Sequence, residues 1–274
     1  MARDVIVITG VGGIGSACAR RIGSGFRLLV GDFAVDKMEA GAGALAREGH
    51  EVVARQVDVS DRQSVEDFAR VANEMGRLRT IVHTAGVSPM MASSENIIRV
   101  DLLGTEHVLD AFQPMVSENA VCVCLASMAA YVAGLDASVE RAIATCPAEE
   151  LLDAIGVPLD TLSPQVAYCI AKRGVHLRVE HAATAWGRRG ARVVSISPAI
   201  ALTAMGRIET EAQPQIEKAM MAAPIPRFAT ADEIAGAIEW LASPSASFVT
   251  GCDLRIDGGA IAAINGGAPS GLAS

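Results

Sequence analysis

The sequence predicts an α/β fold in which a doubly wound parallel sheet carries helices on both faces. Short apolar runs of strand length alternate with helical patterns over most of the 274 residues, and a glycine-rich turn follows the first run directly. Hydrophobic residues make up 51% of the chain while aromatic residues reach only 4%, so the apolar content comes mostly from small side chains. Parallel strands under closely packed Ala- and Gly-rich helices have this composition.

Seven apolar runs are expected to form the strands of this sheet, and the segments between them to form its helices. The strands are predicted at 5–9, 26–30, 51–57, 80–83, 120–125, 192–196 and 253–256. A helix ending near Ile22 follows the first strand, and a helix over 35–47 follows the second. Right-handed crossovers then place helices on both faces of the sheet.

The segment 131–163 interrupts this alternation. Apolar residues at helical spacing predict a short helix around 139–146, and Pro147 and Gly156 frame a second short helix. The apolar side chains of this inserted segment could roof a substrate pocket or bury a subunit interface, and the sequence leaves both roles open. The methionine-containing segment 203–223 is open to the same two interpretations, as a flexible flap or as part of an interface.

Charge and cysteine usage argue against several classes of protein. The formal net charge is −8, which disfavours nucleic acid as a partner because neutralising phosphates needs a basic face. The six cysteines form no C-x-x-C pair and are expected to be buried small hydrophobes, so neither a metal site nor a disulfide is predicted. The N-terminus makes a poor signal peptide because Asp4 interrupts its short apolar run. The apolar stretch 120–135 is too short to span a bilayer. We therefore expect a cytoplasmic protein without a membrane partner.

A G-x-G-x-x-G pattern, Gly10, Gly12 and Gly15, lies between the first strand and the first helix. Glycine permits the tight turn, and the helix N-terminus with the backbone amides of the turn favours a pyrophosphate. Gly13 and Ile14 belong to the same turn and are counted among the cofactor-binding candidates. The alternative is a turn with a structural role alone.

Asp32 closes the second strand, where a carboxylate can accept hydrogen bonds from the adenosine ribose and would repel a 2′-phosphate. Neither the glycine turn nor the residues just after Asp32 carry Lys or Arg, so NAD is predicted over NADP. Phe33, which follows, is a further cofactor-binding candidate. The alternative is that Asp32 only begins a loop.

Tyr168 and Lys172 lie at i and i+4, on one face of a predicted helix. A nearby ammonium group favours the phenolate, so Lys172 is expected to lower the Tyr168 pKa and to suit Tyr168 for general acid–base chemistry. Taken alone, such a pair is usually a surface feature.

Several motifs occur in the order typical of one family. They are TGVGGIG at 9–15, Asp58-Val59, HTAG at 83–86, Ser127, YCIAK at 168–172, Pro198 and FVTGCDLRIDGG at 248–259. In this combination the chain resembles the short-chain dehydrogenase/reductase family up to about Ile261. The resemblance implies a single Rossmann-type domain over 1–274, with 262–274 as a C-terminal tail, and a homodimer or homotetramer.

The resemblance also implies a role for each matching residue. Ser127 would hydrogen-bond the substrate carbonyl and stabilise its developing charge, Tyr168 would transfer the proton, and Lys172 would hold the nicotinamide ribose. Further cofactor contacts are implied at Asp58, Val59, Ala85, Gly86, Pro198, Ile200 and Thr203.

The chain departs from the family pattern in three places. The glycine turn is one residue shorter, and His83 and Thr84 stand where the family usually has two asparagines. His83 is expected to pack behind its strand rather than act as a base. Asp101 replaces an asparagine of the family's proton relay; it could hold a water beside Lys172 or be structural, and both remain open.

The long separation between Ser127 and Tyr168, together with TAWGRRGARV at 184–193, is similar to a bacterial 3α-hydroxysteroid dehydrogenase/carbonyl reductase subgroup. The sequence therefore predicts an NAD-dependent oxidoreductase that interconverts a secondary alcohol and a ketone, on a bulky apolar substrate such as a hydroxysteroid or another cyclic compound. The alternatives are a non-catalytic NAD-sensing regulator and an epimerase or dehydratase that uses bound NAD.

Overall fold

The computed structural model describes residues 4–267. Its strands are β1 (Val5–Thr9), β2 (Arg27–Asp32), β3 (Glu51–Gln56), β4 (Leu78–His83), β5 (Val121–Leu125), β6 (Arg192–Pro198) and β7 (Asp253–Ile256). They form one parallel sheet in the order β3-β2-β1-β4-β5-β6-β7, which confirms the predicted doubly wound fold. Strand β6 continues two residues past the predicted end because Ser197 and Pro198 still pair with β7.

Helices cover both faces of this sheet. They are α1 (Gly13–Ile22), α2 (Val35–Arg47), α3 (Arg62–Met75), α4 (Ser94–Ile97), α5 (Gly104–Phe112), α6 (Ala137–Thr145), α7 (Pro164–Gly187), α8 (Ala204–Ala212), α9 (Pro214–Met221), α10 (Ala231–Ala242) and α11 (Ala260–Asn265). A π-helical turn, Ile98–Leu103, joins α4 to α5 and contains Asp101. Widened turns of this kind are frequent at functional sites.

Two apolar cores lie on opposite faces of the sheet because successive strand side chains alternate between them. Val5 and Val7 of β1 pack in the core that also contains Phe112 and Trp186. Ile6 and Ile8 belong to the other core, under α1 and α10.

The order of the strands positions the site. The chain builds β2 and β3 on one side of β1 and then returns to place β4 on the other side. In open α/β sheets a crevice forms where the order reverses, outside the carboxyl ends of the strands. Residues that follow β1, β2, β4, β5 and β6 therefore meet around one cleft.

The inserted segment packs against the chain's own helices. Ile143, Leu151 and Ile155 are buried in a cluster with residues of α4, the π-helical turn and α7, among them Ile98 and Ile170. These three side chains are thus covered within the chain.

The first predicted helix of the insertion is present as α6, but the second prediction is wrong. Two short 3₁₀ turns, Ala148–Glu150 and Asp153–Ile155, stand in its place. Leu151 and Leu152 separate the two turns, and Gly156 ends the second one with a left-handed φ of 81°.

At the C-terminus, α11 extends into the predicted tail, and the rest of that tail, from 268 onward, lies outside the described residues. Between residues 4 and 267 no helix is both long and apolar enough to cross a membrane.

Candidate active site

The glycine turn has the close approaches that the pattern predicts. Gly10 has φ +86°, and a Cβ at this position would lie 2.6 Å from the Ala85 nitrogen. A Cβ on Gly15 would lie 1.9 Å from the Gly10 oxygen, and one on Gly13 would lie 2.6 Å from Thr203 Cγ2. The N-terminus of α1 has no side-chain cap, so its free amides and its dipole favour an anion there.

Asp32 ends β2 beside this turn and is almost fully buried. Its carboxylate accepts hydrogen bonds from the backbone N–H of Val11 at 2.8 Å and of Ala34 at 3.1 Å. Phe33, next in the chain, is 66% exposed. The structure thus orients Asp32 toward the turn through two backbone donors.

Lys37 is a residue that the sequence reasoning missed. Its Nζ lies 3.3 Å from Asp32 Oδ2 and 3.8 Å from where a Cβ of Gly12 would be. It lies in the first turn of α2, beyond the residues just after Asp32 on which the prediction of NAD rests. The sequence does contain a signal for this contact, because a basic residue at the start of the helix that follows Asp32 can reach back to the Asp32 carboxylate.

The candidates after β3 differ in their surroundings. One Asp58 oxygen accepts hydrogen bonds from the Ser60 backbone N–H at 2.9 Å and from its hydroxyl at 2.6 Å. Val59 is buried, and its carbonyl accepts a hydrogen bond from His107 Nδ1 at 3.0 Å. Gly104 belongs to the same contact, because a Cβ there would lie 2.8 Å from Val59 Cγ2.

Gly86 brings the backbone after β4 against the catalytic candidates. A Cβ here would lie 3.2 Å from Asp101 Oδ1 and 3.4 Å from Lys172 Nζ. His83 and Thr84 precede it. His83 is buried between the hydroxyls of Thr9 and Thr105, and burial lowers its pKa to about 3. A neutral packed imidazole agrees with the expectation for His83.

The Lys172 ammonium is held by an ion pair. Its Nζ lies 3.0 Å from Asp101 Oδ2 and donates a hydrogen bond to the Leu125 carbonyl at 3.2 Å. Both charged side chains are buried, and the other Asp101 oxygen accepts from the Val87 N–H at 2.8 Å. Burial raises the Asp101 pKa, and the charge of Lys172 opposes that shift. The structure places Asp101 in direct contact with Lys172. The relay role and the structural role of Asp101 both stay predictions.

Tyr168 and Ser127 lie together at the mouth of this arrangement. The Lys172 Nζ is 5.4 Å from the centre of the Tyr168 ring, and Ser127 hydrogen-bonds the phenol. Ser127 also caps a short turn by accepting from the Ala129 N–H at 3.2 Å. Serine, phenol and ammonium are therefore neighbours, as the motif spacing predicts.

The predicted lowering of the Tyr168 pKa by Lys172 is wrong for this structure. Burial raises the Tyr168 pKa well above its ordinary value, and the charges of Glu209 and Asp101 raise it further, while the Ser127 hydrogen bond opposes. The reason is that Lys172 is paired with Asp101, so the phenol is surrounded by acidic groups as well as by a cation.

The cleft in front of Tyr168 is lined mainly by apolar side chains. Together with the catalytic candidates, Pro89, Met128, Ala129, Gln165, Cys169, Ile200, Glu209, Gln213 and Ile216 line it. Ile200 was predicted at the cofactor; Thr203 caps α8 by accepting from the Gly206 N–H at 3.2 Å, and Pro198 ends β6. Glu209 was missed, because no motif marks it within 203–223. Of the methionines there, Met220 is buried and Met221 is exposed.

Comparison with protein families gives two matches. The family model described as short chain dehydrogenase matches residues 4–139, and the one described as enoyl-(acyl carrier protein) reductase matches residues 159–260. Between residues 4 and 267, no cluster of three or more His, Cys, Asp or Glu side chains could hold a metal ion.

Similar proteins include three curated relatives. The chain is 33% identical to short-chain dehydrogenase/reductase bsc3 of Alternaria brassicicola, over 96% of this chain and 97% of the relative. It is 33% identical to D-threitol dehydrogenase of Mycolicibacterium smegmatis (93% and 92%) and 32% identical to cis-4-hydroxycyclohexanecarboxylate dehydrogenase of Sinomonas cyclohexanicum (94% and 96%). The solved structure of a short-chain dehydrogenase/reductase from Serratia marcescens, 23% identical, superposes with a TM-score of 0.74 over 94% of this chain and 98% of that one.

Proposed function

The chain belongs to the short-chain dehydrogenase/reductase family, a family of oxidoreductases, and from that premise we propose that it interconverts a secondary alcohol and a ketone with NAD. The observation that carries the proposal is the grouping of Ser127, Tyr168 and the Lys172–Asp101 pair. The glycine turn reaches this group through the close approach of Gly10 to Ala85, next to Gly86.

The residues present fit a nicotinamide dinucleotide. Gly10, Gly13 and Gly15 allow the turn to pack closely against the rest of the chain, and the uncapped α1 N-terminus would hold the pyrophosphate. Asp32 would accept the ribose hydroxyls, Lys172 would hold the nicotinamide ribose, and Gly86 leaves room beside the Lys172 ammonium. When bound, the nicotinamide supplies the hydride acceptor or donor.

Proton transfer is assigned to Tyr168. Its raised pKa keeps the phenol protonated near neutral pH, so in the reductive direction it can donate its proton to the carbonyl oxygen as the carbon gains the hydride. Ser127 would donate a hydrogen bond to the same oxygen and stabilise its developing charge. In the oxidative direction the phenolate form of Tyr168 accepts the alcohol proton and becomes the neutral phenol.

The preference for NAD rests on Asp32, whose buried charge would repel a 2′-phosphate. Lys37 weakens that repulsion because its ammonium lies 3.3 Å from the same carboxylate. We therefore propose NAD as the preferred cofactor, with a discrimination against NADP smaller than Asp32 alone would give.

The substrate is proposed to be a cyclic secondary alcohol or its ketone, with hydroxysteroids as the larger members of the class. Support comes from the apolar lining at Pro89, Met128 and Ile216 and from the relative named for a hydroxycyclohexane acid. We also propose a cytoplasmic homodimer or homotetramer, supported by the exposed apolar side chains of Trp240 and Phe248 and testable by light scattering.

The proposal is tested by NADH formation from cyclic alcohols and hydroxysteroids. Replacing Tyr168 with phenylalanine should lower kcat by about 10²- to 10⁴-fold. Tyr131, the only other tyrosine, is the matched control, and Tyr131→Phe should keep kcat within a few fold. Turnover that survives Tyr168→Phe would refute the catalytic assignment. Binding of NAD without net NADH formation would instead indicate an NAD-sensing regulator, an epimerase or a dehydratase.

A further inference from the structure

A carboxylic acid lines the same cleft as the catalytic residues. Glu209, on α8, lines the same space as Tyr168 and Ser127, and it is the one acidic side chain among the described residues that line it. The amide side chains of Gln165 and Gln213 also reach this cleft. The apolar cleft therefore has one strongly polar wall.

Among the described residues, the charge of Glu209 is not balanced by an ion pair. Within residues 4–267 no Lys, Arg or His nitrogen forms an ion pair with it. Burial raises its pKa to about 7, while the Ser88 hydroxyl and the more distant charge of Lys172 oppose the shift and Asp101 adds to it. Buried polar groups ordinarily have a partner, so an unpaired acid in a cleft is available to a ligand.

Glu209 lines the same cleft as Tyr168, and its charge raises the Tyr168 pKa, but it is not needed as a proton donor or acceptor. Lys172 is already paired with Asp101, and the phenol of Tyr168 is hydrogen-bonded by Ser127. The chemistry proposed above is complete without Glu209. A carboxyl group that lines the cleft without a part in the proton transfer is placed to meet a polar group of the substrate other than the reacting one.

We propose that Glu209 determines specificity by accepting a hydrogen bond from a second hydroxyl group of the substrate, remote from the reacting carbon. This inference rests on the proposed alcohol–ketone activity and names its substrate class: neutral diols and hydroxyketones. A substrate with a carboxylate in place of the second hydroxyl would meet a like charge and be rejected.

The two relatives named for their substrates illustrate the choice that Glu209 would make. One is named for threitol, which is a neutral polyol, and the other for a hydroxycyclohexane acid. Both are about equally similar to this chain, so overall identity does not separate the two substrate classes. A charged side chain in the cleft would separate the two classes, because it accepts a hydrogen bond from a hydroxyl group and repels a carboxylate.

The experiment compares three probes that share one ring: cis-cyclohexane-1,4-diol, cyclohexanol and cis-4-hydroxycyclohexanecarboxylate. Their binding to the enzyme saturated with NADH is measured by calorimetry at pH 8. A hydrogen bond to a charged acceptor should make the diol bind about 10- to 100-fold more tightly than cyclohexanol. The hydroxy acid should bind at least about tenfold more weakly than the diol.

Two substitutions separate charge from hydrogen bonding. Glu209→Gln removes the charge and should tighten binding of the hydroxy acid by about tenfold, whereas Glu209→Leu removes the acceptor and should abolish the advantage of the diol over cyclohexanol. Glu211→Gln, an equal change of charge on the exposed side of α8, is the matched control and should leave the ranking unchanged.

The pH dependence of binding provides a second readout. The groups that face Glu209 are Ser88, Tyr168, Lys172 and Asp101. Because the Glu209 pKa is about 7, lowering the pH from 8 to 6 should protonate it and tighten binding of the hydroxy acid in the wild type. Glu209→Gln should remove this dependence. The other facing groups are unchanged in this variant, so a dependence that persists would belong to them and not to Glu209.

The inference and the proposed function fail in different ways. Equal binding of the three probes, tighter binding of the hydroxy acid, an unchanged ranking in Glu209→Gln, or no binding of any probe would overturn the role of Glu209. The expected ranking without any turnover would instead leave Glu209 as the selecting group and refute the alcohol–ketone activity. Turnover of alcohols together with equal binding of the three probes would support the alcohol–ketone activity and overturn the role of Glu209.

Discussion

Replacing Asp101 with alanine is expected to destabilise the protein by about 3–5 kcal/mol. Its carboxylate lies 3.0 Å from Lys172 Nζ and accepts the Val87 N–H at 2.8 Å, so alanine leaves a buried ammonium and a backbone donor without their acceptor. An unfolding entropy of about 2.1 cal/mol/K per residue gives about 0.6 kcal/mol/K for a chain of this length. The melting temperature should then fall by about 5–9 °C.

Asp101→Asn separates the two contributions to this loss. The amide oxygen can still accept the Val87 N–H and can point toward Lys172, so the fall should be about half that of alanine. Removing the acidic charge should also lower the Tyr168 pKa and move the pH–rate profile of alcohol oxidation to lower pH. Melting is followed by circular dichroism. Asp101→Ala melting within 1 °C of wild type, or asparagine melting below alanine, would refute the ion-pair argument.

Three further outcomes are expected. Lys37→Ala should raise the preference for NAD over NADP in kcat/KM by about tenfold, because it exposes the Asp32 charge; an unchanged ratio would contradict this. Leu151→Ala should destabilise the protein by about 2–5 kcal/mol in thermal melting, while the half-exposed Val157→Ala should shift the melting temperature by less than 1 °C. Between the ordinary glutamate pKa of 4.5 and the value of about 7 for Glu209, the folded protein holds more protons than the unfolded chain, so stability falls as pH rises through that interval. Glu209→Gln should therefore melt above wild type at pH 8 and level with it at pH 4, and an equal difference at both pH values would speak against this linkage.

The parts of the fold that could be predicted are those with a local signal. Strand runs and the helix over 35–47 follow from hydrophobic periodicity, and α2 has those bounds. Ser127, Tyr168 and Lys172 were identified because the spacing of motifs along a known type of sheet fixes where they meet. The prediction of a second helix in the insertion was wrong because apolar residues at helical spacing do not by themselves distinguish one α-helix from two short 3₁₀ turns.

The features of the site that the sequence did not predict depend on contacts between segments that are far apart in the chain. Glu209 lies far along the chain from Tyr168, and only the packing of α8 over the cleft brings them together. The Tyr168 pKa was misjudged for a related reason. The motif reveals the cation at Lys172 but not the burial or the acidic groups that outweigh it.

The contact between the insertion and α7 has a consequence for protein engineering. Ile170 and Ala171, which belong to the apolar cluster formed with the insertion, lie between Tyr168 and Lys172 in the chain, and Tyr168 itself packs against this cluster. The insertion thus supports α7, the helix that carries both the proton donor Tyr168 and the ammonium group of Lys172. Shortening the insertion would remove this support. Tyr168 and Lys172 would then be held less rigidly, even if the residues that bind the substrate were unchanged.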